Sequence, residues 1–259
     1  MADTRFVTDY PAIARHRAEQ NDEARARYRR LAVTVVVVGL LTAGGAAVST
    51  PLALFVAAIG AGVAFFVALP GGSSVEAGAL AGEEGEAAVL ERLRTLPDDF
   101  TVFNRVRLPD PELPNGWREL DFIVTGPTGL WVVEVKNTPG LVYVRRGERH
   151  WPLARRAGCG SRPNWNAMDN PVPQVLSQRR ALQRWLLQNG ISAEARGVVC
   201  LAHPEVAADD ADAAEVPVRL RDELVPHLRE AATRPAPVVV TDALSKLVAG
   251  SSPKIARAI

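Results

Sequence analysis

Glu119-Leu-Asp-Phe-Ile-Val-Thr-Gly-Pro-Thr-Gly-Leu-Trp-Val-Val-Glu-Val-Lys136 reads as two β-strands around the turn Gly126-Pro127-Thr128-Gly129. Glycine and proline supply the turn dihedrals, and the flanks are rich in β-branched and aromatic residues. In a symmetric turn, positions that face each other across the strands have numbers of one constant sum. That register sets Asp121 opposite Glu134 and Glu119 opposite Lys136. Directly opposed Cβ atoms lie about 4.5–5.5 Å apart, and like charges there are destabilising. Two carboxylates so placed call for a cation between them. The alternation puts Leu120, Phe122, Val124, Trp131, Val133 and Val135 on one apolar face, suited to a core. The charged face also carries Ile123, Val132 and Leu130 towards the turn, so the expectation is a half-buried sheet with a polar corner.

Two readings of that corner remain open from the residues alone. Asp121 and Glu134 either form a site that holds a cation or lie on an edge, each paired with one of the chain's arginines. Lys136 is either a functional cation or the cross-strand ion-pair partner of Glu119.

The chain around the hairpin resembles the nuclease-related domain (NERD) family, within the PD-(D/E)XK nuclease-like superfamily. The residues that carry the resemblance are Gly82-Glu-Glu-Gly-Glu86 opening a helix, Leu120-Asp121, Gly129 with its apolar strand, Glu134-Val-Lys136 followed by Gly140, and Asn170-Pro171 with Gln174. It covers roughly residues 80 to 200. The sequence departs in having Leu120 where the superfamily's name has proline, and the loop Gly158 to Met168 matches nothing in the pattern. The resemblance implies a restriction-endonuclease-like mixed sheet flanked by helices and a site for a divalent metal, Mg²⁺ or Mn²⁺. Asp121, Glu134 and Glu86 would be its ligands. Lys136 would orient water or meet developing charge, and Gln174 would be an auxiliary polar group. The chemistry agrees: Mg²⁺ takes oxygen ligands, uses one or two carboxylates and completes its shell with water and substrate phosphate. Glu86 also has a plainer explanation, since acids in a first helical turn are favoured by the helix dipole, and Gln174 one as a solvated helix residue.

Upstream, Leu31 to Val48 and Leu52 to Leu69 are two apolar runs without a charged residue, joined by Ser49-Thr50-Pro51. Each approaches the roughly 20 residues that a bilayer core requires. They predict a transmembrane helical hairpin whose small residues (Gly39, Ala43, Gly44, Gly45 and Ala46 facing Gly60, Ala61 and Gly62) permit close packing. Arg15, Arg17, Arg25, Arg27, Arg29 and Arg30 precede the first run, so both ends face the cytoplasm. The expectation is therefore a multi-pass cell-membrane protein with a cytoplasmic catalytic domain.

The net charge of +1 averages opposed regions. Between Gly140 and Gly190 nine arginines, among them Arg145, Arg146, Arg149, Arg155, Arg156 and Arg179, stand against Glu148 and Asp169, which suits phosphate-backbone binding or a merely solvated surface. Residues 205–223 are acidic. Trp151 and Trp165 are candidates for base stacking or core anchoring. Cys159 and Cys200 lack metal-ligand spacing and read as free thiols, the four histidines form no cluster, and no Walker-type loop is present. A zinc site, a histidine triad and ATP dependence are thus not expected.

The predicted organisation is a basic arm (1–30), the membrane hairpin (31–69), a linker (70–81), the nuclease-related α/β domain (82–203) and a C-terminal α/β extension (204–259). Helices are predicted near 82–96, 170–187, 222–231 and 241–248. Strands are predicted near 100–106, in the hairpin, and near 141–145, 197–202 and 237–240. Two function classes follow: a membrane-anchored, metal-dependent hydrolase of nucleic-acid phosphodiester bonds, or a non-catalytic tethered module that binds nucleic acid or protein. A scaffold that recruits membrane proteins is a third.

Overall fold

A computed structural model of the 259-residue chain describes residues 1–6, 10–48, 50–51, 58–60, 77–155, 163–231 and 235–251. It divides into two units, Tyr10–Leu80 and Met1–Asp9 with Ala81–Ile259. In the first, α1 (Pro11–Val48) runs without a break through the predicted arm and the first apolar run. Gly60 lies directly against the side chain of Val38, the close approach that a small residue allows. Val33, Val35, Val36 and Leu40 are exposed on α1. Among the described residues no helix is long and apolar enough to cross a membrane. Most of the second apolar run (52–57 and 61–69) lies outside the described residues.

The second unit is built on a six-stranded mixed sheet in the order β1-β2-β3-β4-β8-β10. Its strands are β1 (Asp3–Phe6), β2 (Thr101–Pro109), β3 (Trp117–Gly126), β4 (Gly129–Lys136), β8 (Ala195–Leu201) and β10 (Val218–Leu220). β2, β3 and β4 are antiparallel neighbours; β1 joins β2, β8 joins β4 and β10 joins β8 in parallel. Helix α2 (Ala77–Leu93) precedes the sheet, α3 (Val172–Gln188) packs across β4 and β8, and α4 (Arg221–Glu230) and α5 (Val238–Ser251) follow. This is the mixed sheet flanked by helices that the sequence predicts.

The hairpin has the expected register. Phe122 faces Val133, Val124 faces Trp131 and Gly126 faces Gly129. The expectation of a half-buried hairpin is corrected, however. β4 is a central strand between β3 and β8, and Gly129 to Val135 are all buried. Strands covered on both faces read as continuous apolar runs, which is what Leu130 to Val133 are. Only the Lys136 end emerges to solvent.

Four more differences have local causes. Asp3–Phe6, predicted as part of a polar helical arm, is an edge strand beside β2. The predicted linker ends early, because α2 begins at Ala77 rather than Gly82. Val238-Val-Val240, predicted as a strand, opens α5, where Val240 and Leu244 stack one helical turn apart in the main core. The arginine-rich stretch forms β5 (Gly140–Tyr143), β6 (His150–Arg155) and β7 (Asn164–Asp169), which with β9 (Val206–Asp209) make a second sheet ordered β7-β6-β5-β9. Its inner face, Val142, Val144, Trp151 and Leu153, packs on Val172, Val175 and Val199 in a second core. Trp151 is accordingly a core residue, its Nε1 donating to the Arg145 carbonyl at 2.9 Å, whereas Trp165 is exposed.

Candidate active site

The pairing of β3 with β4 stops at Phe122–Val133, one step short of Asp121 and Glu134. There the Asp121 side chain replaces the ladder: its Oδ2 accepts the Val135 N–H at 2.8 Å. On the other side of Asp121, the β2–β3 pairing runs from Asn104–Phe122 to Val106–Leu120 and skips Arg105. Arg105 has φ of 49°, the left-handed region that costs a non-glycine residue about 1 kcal/mol or more. Both ladders thus open at Asp121, so a polar side chain interrupts an otherwise continuous sheet.

Glu134 is 1% exposed and its two oxygens are held apart. Oε1 meets Lys136 Nζ at 2.5 Å, and Oε2 accepts Gln178 Nε2 at 2.7 Å. Gln174 Oε1 accepts Lys136 Nζ at 3.1 Å. Gln174 and Gln178 lie one turn apart on α3 and therefore share the face turned to β4. Asn170 fixes where that helix starts, its Oδ1 accepting the Val172 N–H at 2.9 Å. The predicted Glu119–Lys136 pair does not form: Glu119 sits opposite Arg107 and is shared by Arg105 Nη2 at 3.3 Å and Arg107 Nε at 3.0 Å.

Glu86 reaches the same corner from α2. Gly85 makes that approach possible, since a Cβ there would lie 2.5 Å from the Cβ of Asn137, just past the end of β4. Asn137 Nδ2 in turn donates to the Ala81 carbonyl at 2.7 Å and ties the helix down. Glu86 Oε2 is buried with no hydrogen-bond partner among the described residues. Burial, opposed by Arg105 and reinforced by Glu119, Glu83 and Glu134, pushes the Glu86 carboxyl up to about 7. Burial first, and then the charges of Glu134 and Glu86, hold the Asp121 carboxyl well above the usual carboxylate range, against the Val135 N–H and Lys136. The three acids therefore feel one another. Among the described residues no three such groups are close enough together to enclose an ion, because Glu134 is turned onto Lys136 and Gln178.

The donor set nevertheless suits a hard divalent cation: carboxylate oxygens only, one of them a buried orphan, and no sulfur or imidazole. Charge says the same. Glu83 pairs with Arg105, Glu119 with Arg105 and Arg107, and Glu134 with Lys136. Glu86 and Asp121 are left without an ion pair among the described residues. Gln178, Glu83 and Arg105 were not foreseen from sequence. For Gln178 a signal existed in its i, i+4 spacing from Gln174. For Arg105 none did, because its placement depends on a backbone distortion.

The arginines named from sequence do not share one surface. Arg145 lies over the Tyr143 ring at 5.6 Å and 4.0 Å from Asp209, and Arg146 lies 3.7 Å from Glu215. Arg149 and Arg155 are exposed on the second sheet. Arg179 Nε donates to the Ala195 carbonyl at 2.9 Å beside Gly197, within the α3–β8 packing. Arg156 lies outside the described residues, as does Cys159. Cys200 is a free, buried thiol. The acidic stretch after residue 204 thus supplies counter-ions to the arginine-rich one.

Residues 81–202 match the family model of the nuclease-related domain. The match begins within α2, ahead of Glu86, and ends just past β8, enclosing every element that builds the corner. No curated protein and no solved structure matches the chain.

Proposed function

We propose that this protein is a divalent-metal-dependent phosphodiesterase of nucleic acid, with its site at the open end of β4. The observation that carries the reading is that Asp121, Glu134 and Glu86, delivered from β3, β4 and α2, interact through their charges beside the point where both ladders are interrupted. Asp121, Glu134 and Glu86 would hold Mg²⁺ or Mn²⁺, which when bound supplies a Lewis acid and an activated water. Lys136 sets a positive charge at the site, where charge develops on a phosphate under attack. Gln174 orients its ammonium, and Gln178 orients Glu134. A module that only bound nucleic acid would gain nothing from acids that repel each other and phosphate, which favours catalysis over passive tethering.

Anchorage at a membrane, with the catalytic domain on the cytoplasmic side, belongs to the same proposal. It rests on the two uncharged runs, the arginines before them and the exposed valines of α1. Alkaline carbonate extraction tests it: release of the full-length chain into the soluble fraction would refute anchorage.

The activity test uses the full-length protein with single- and double-stranded DNA and RNA in Mg²⁺, Mn²⁺ or EDTA. Metal-dependent cleavage that disappears in Asp121→Ala and Glu134→Ala is the expected result. Binding without cleavage, unchanged in both variants, would support the non-catalytic reading instead.

A further inference from the structure

We infer that the face of β2 and β3 leading outward from Asp121 is a binding track for an unpaired stretch of nucleic acid, with Trp117 stacking on a base and Arg107 meeting a phosphate. The inference rests on the phosphodiesterase reading and names its substrate as single-stranded.

Strand alternation builds the track. Glu119 and Trp117 share one face of β3, and Arg107 and Pro109 lie opposite them on β2, just outward of the interruption at Asp121 and Arg105. The reverse face of this stretch is closed, with Val106, Leu108 and Leu120 buried in the main core. Arg105 Nη2, 3.3 Å from Glu119, joins the track to the corner. Each two-residue step along a strand covers about 6.7 Å, so Trp117 stands about 13 Å along β3 from Asp121. That is the distance of a near neighbour of the reacting phosphate, on the surface that carries Glu119.

The side chains there are presented rather than packed. Trp117 is 49% exposed, and the Arg107 side chain is 65% exposed. Arg107 uses only Nε on Glu119, which leaves its terminal amino groups without an ion pair among the described residues. Arg107, Asn115, Trp117, Glu119 and Gly250 line a cleft of about 580 Å³, a volume suited to a small ligand group such as one nucleotide.

The support beneath Trp117 is firm. Its backbone N–H donates to Asn115 Oδ1 at 3.1 Å, and the preceding loop is closed by Asp110 N–H to the Gly116 carbonyl at 2.9 Å. Arg118 Nε donates to the buried Asp110 at 2.6 Å on the reverse face. The backbone that presents the indole is thereby fixed. Only an unpaired base offers it a π-face, since a duplex presents phosphates and edges. The second sheet, with its exposed Trp165, is a weaker candidate because the arginines Arg145 and Arg146 already have acids within reach.

The test is fluorescence anisotropy of labelled single-stranded DNA and RNA oligonucleotides, and of a duplex of equal length, with the full-length protein in EDTA. Trp117→Ala should weaken single-strand binding about tenfold to a hundredfold, while Trp117→Phe stays within about threefold of wild type. Arg107→Gln should weaken binding and flatten the dependence of log affinity on log salt by about 0.7. Binding by Trp117→Ala within about twofold of wild type, or a loss that is equal on duplex, would overturn the track. If wild type cleaves in Mg²⁺ while Trp117→Ala binds unchanged, the track falls and the phosphodiesterase reading stands. If wild type neither binds nor cleaves, both fall.

Discussion

Replacing Lys136 by methionine separates what that residue does for the fold from what a metal would do for the site. Among the described residues Lys136 Nζ is the only cation bonded to Glu134, whose carboxylate is almost wholly buried and otherwise accepts a hydrogen bond from Gln178. Removing one partner of a buried pair costs about 3–5 kcal/mol, and the partial exposure of Lys136 (28% of its side chain) points to the lower end. Lys136→Met should therefore lose about 3 kcal/mol when unfolded by urea in EDTA.

A divalent cation restores the missing charge. At a metal concentration one hundred times its dissociation constant, a bound ion contributes about 2.7 kcal/mol. Mn²⁺ should thus return most of what Lys136→Met loses at pH 7, and should stabilise the variant by at least as much as wild type. Cleavage should remain low in Lys136→Met with metal present, because the positive charge beside the phosphate is still absent. A loss below about 1 kcal/mol at pH 7 would refute the view of Glu134 as a buried charge that needs a cation.

Three further outcomes follow. Because folding raises the Glu86 carboxyl from 4.5 to about 7, the folded state binds the extra proton between those values. Metal-free stability should fall as pH rises from about 4.5 to 7 by roughly 1–3 kcal/mol after solvent screening, and Glu86→Gln should flatten that slope in a urea-denaturation series. Gly85→Val should abolish cleavage and cost about 1–3 kcal/mol, since no side chain fits between α2 and Asn137; retained activity would show that Glu86 does not need its present seat. The Cys200 thiol, pushed up to about 12 by burial, should resist thiol reagents until the domain unfolds, and rapid labelling in native buffer would contradict the fold of β8.

How far the sequence could be read depended on where the information lay. The hairpin was legible to the residue, because a two-residue turn fixes register and register fixes which side chains face each other. Asp121 beside Glu134 and the i, i+4 face of Gln174 follow from local periodicity, whereas the first-turn placement of Glu86 does not hold, because α2 starts at Ala77 and Glu86 lies well inside it. Burial of β4 on both faces was not legible, since it depends on β8, which comes some sixty residues later, lying beside it. Of the second sheet only β5 was legible; its strands are four to six residues long, and the arginines fall mostly in the segments between them. Val238 to Val240 misled for the opposite reason: a β-branched run favours a strand, but its place in the core is fixed by packing one helical turn apart.

The corner at Asp121 also shows why its local rules are broken together. Glu83, Glu86, Glu119, Asp121 and Glu134 converge on Arg105, Arg107 and Lys136, so five acids meet three cations. The shortfall of two charges equals what one divalent ion carries, and it falls on Glu86 and Asp121, the two acids without an ion pair. A fold selected for stability alone would place an apolar pair at Asp121–Glu134, continue both ladders through Asp121 and keep Arg105 out of the left-handed region. Each of these departures costs free energy in the metal-free chain, and each exposes or orients an oxygen at the same point. Independent defects would scatter over the sheet. Their coincidence at one strand end is better explained by a single bound cation that offsets them all. Restoring the apolar pair with Asp121→Leu and Glu134→Leu together should therefore leave the metal-free protein at least as stable as wild type, while removing all stabilisation by Mn²⁺. A large loss of stability in that double variant would mean the acids serve the fold, and the argument from coincidence would fail.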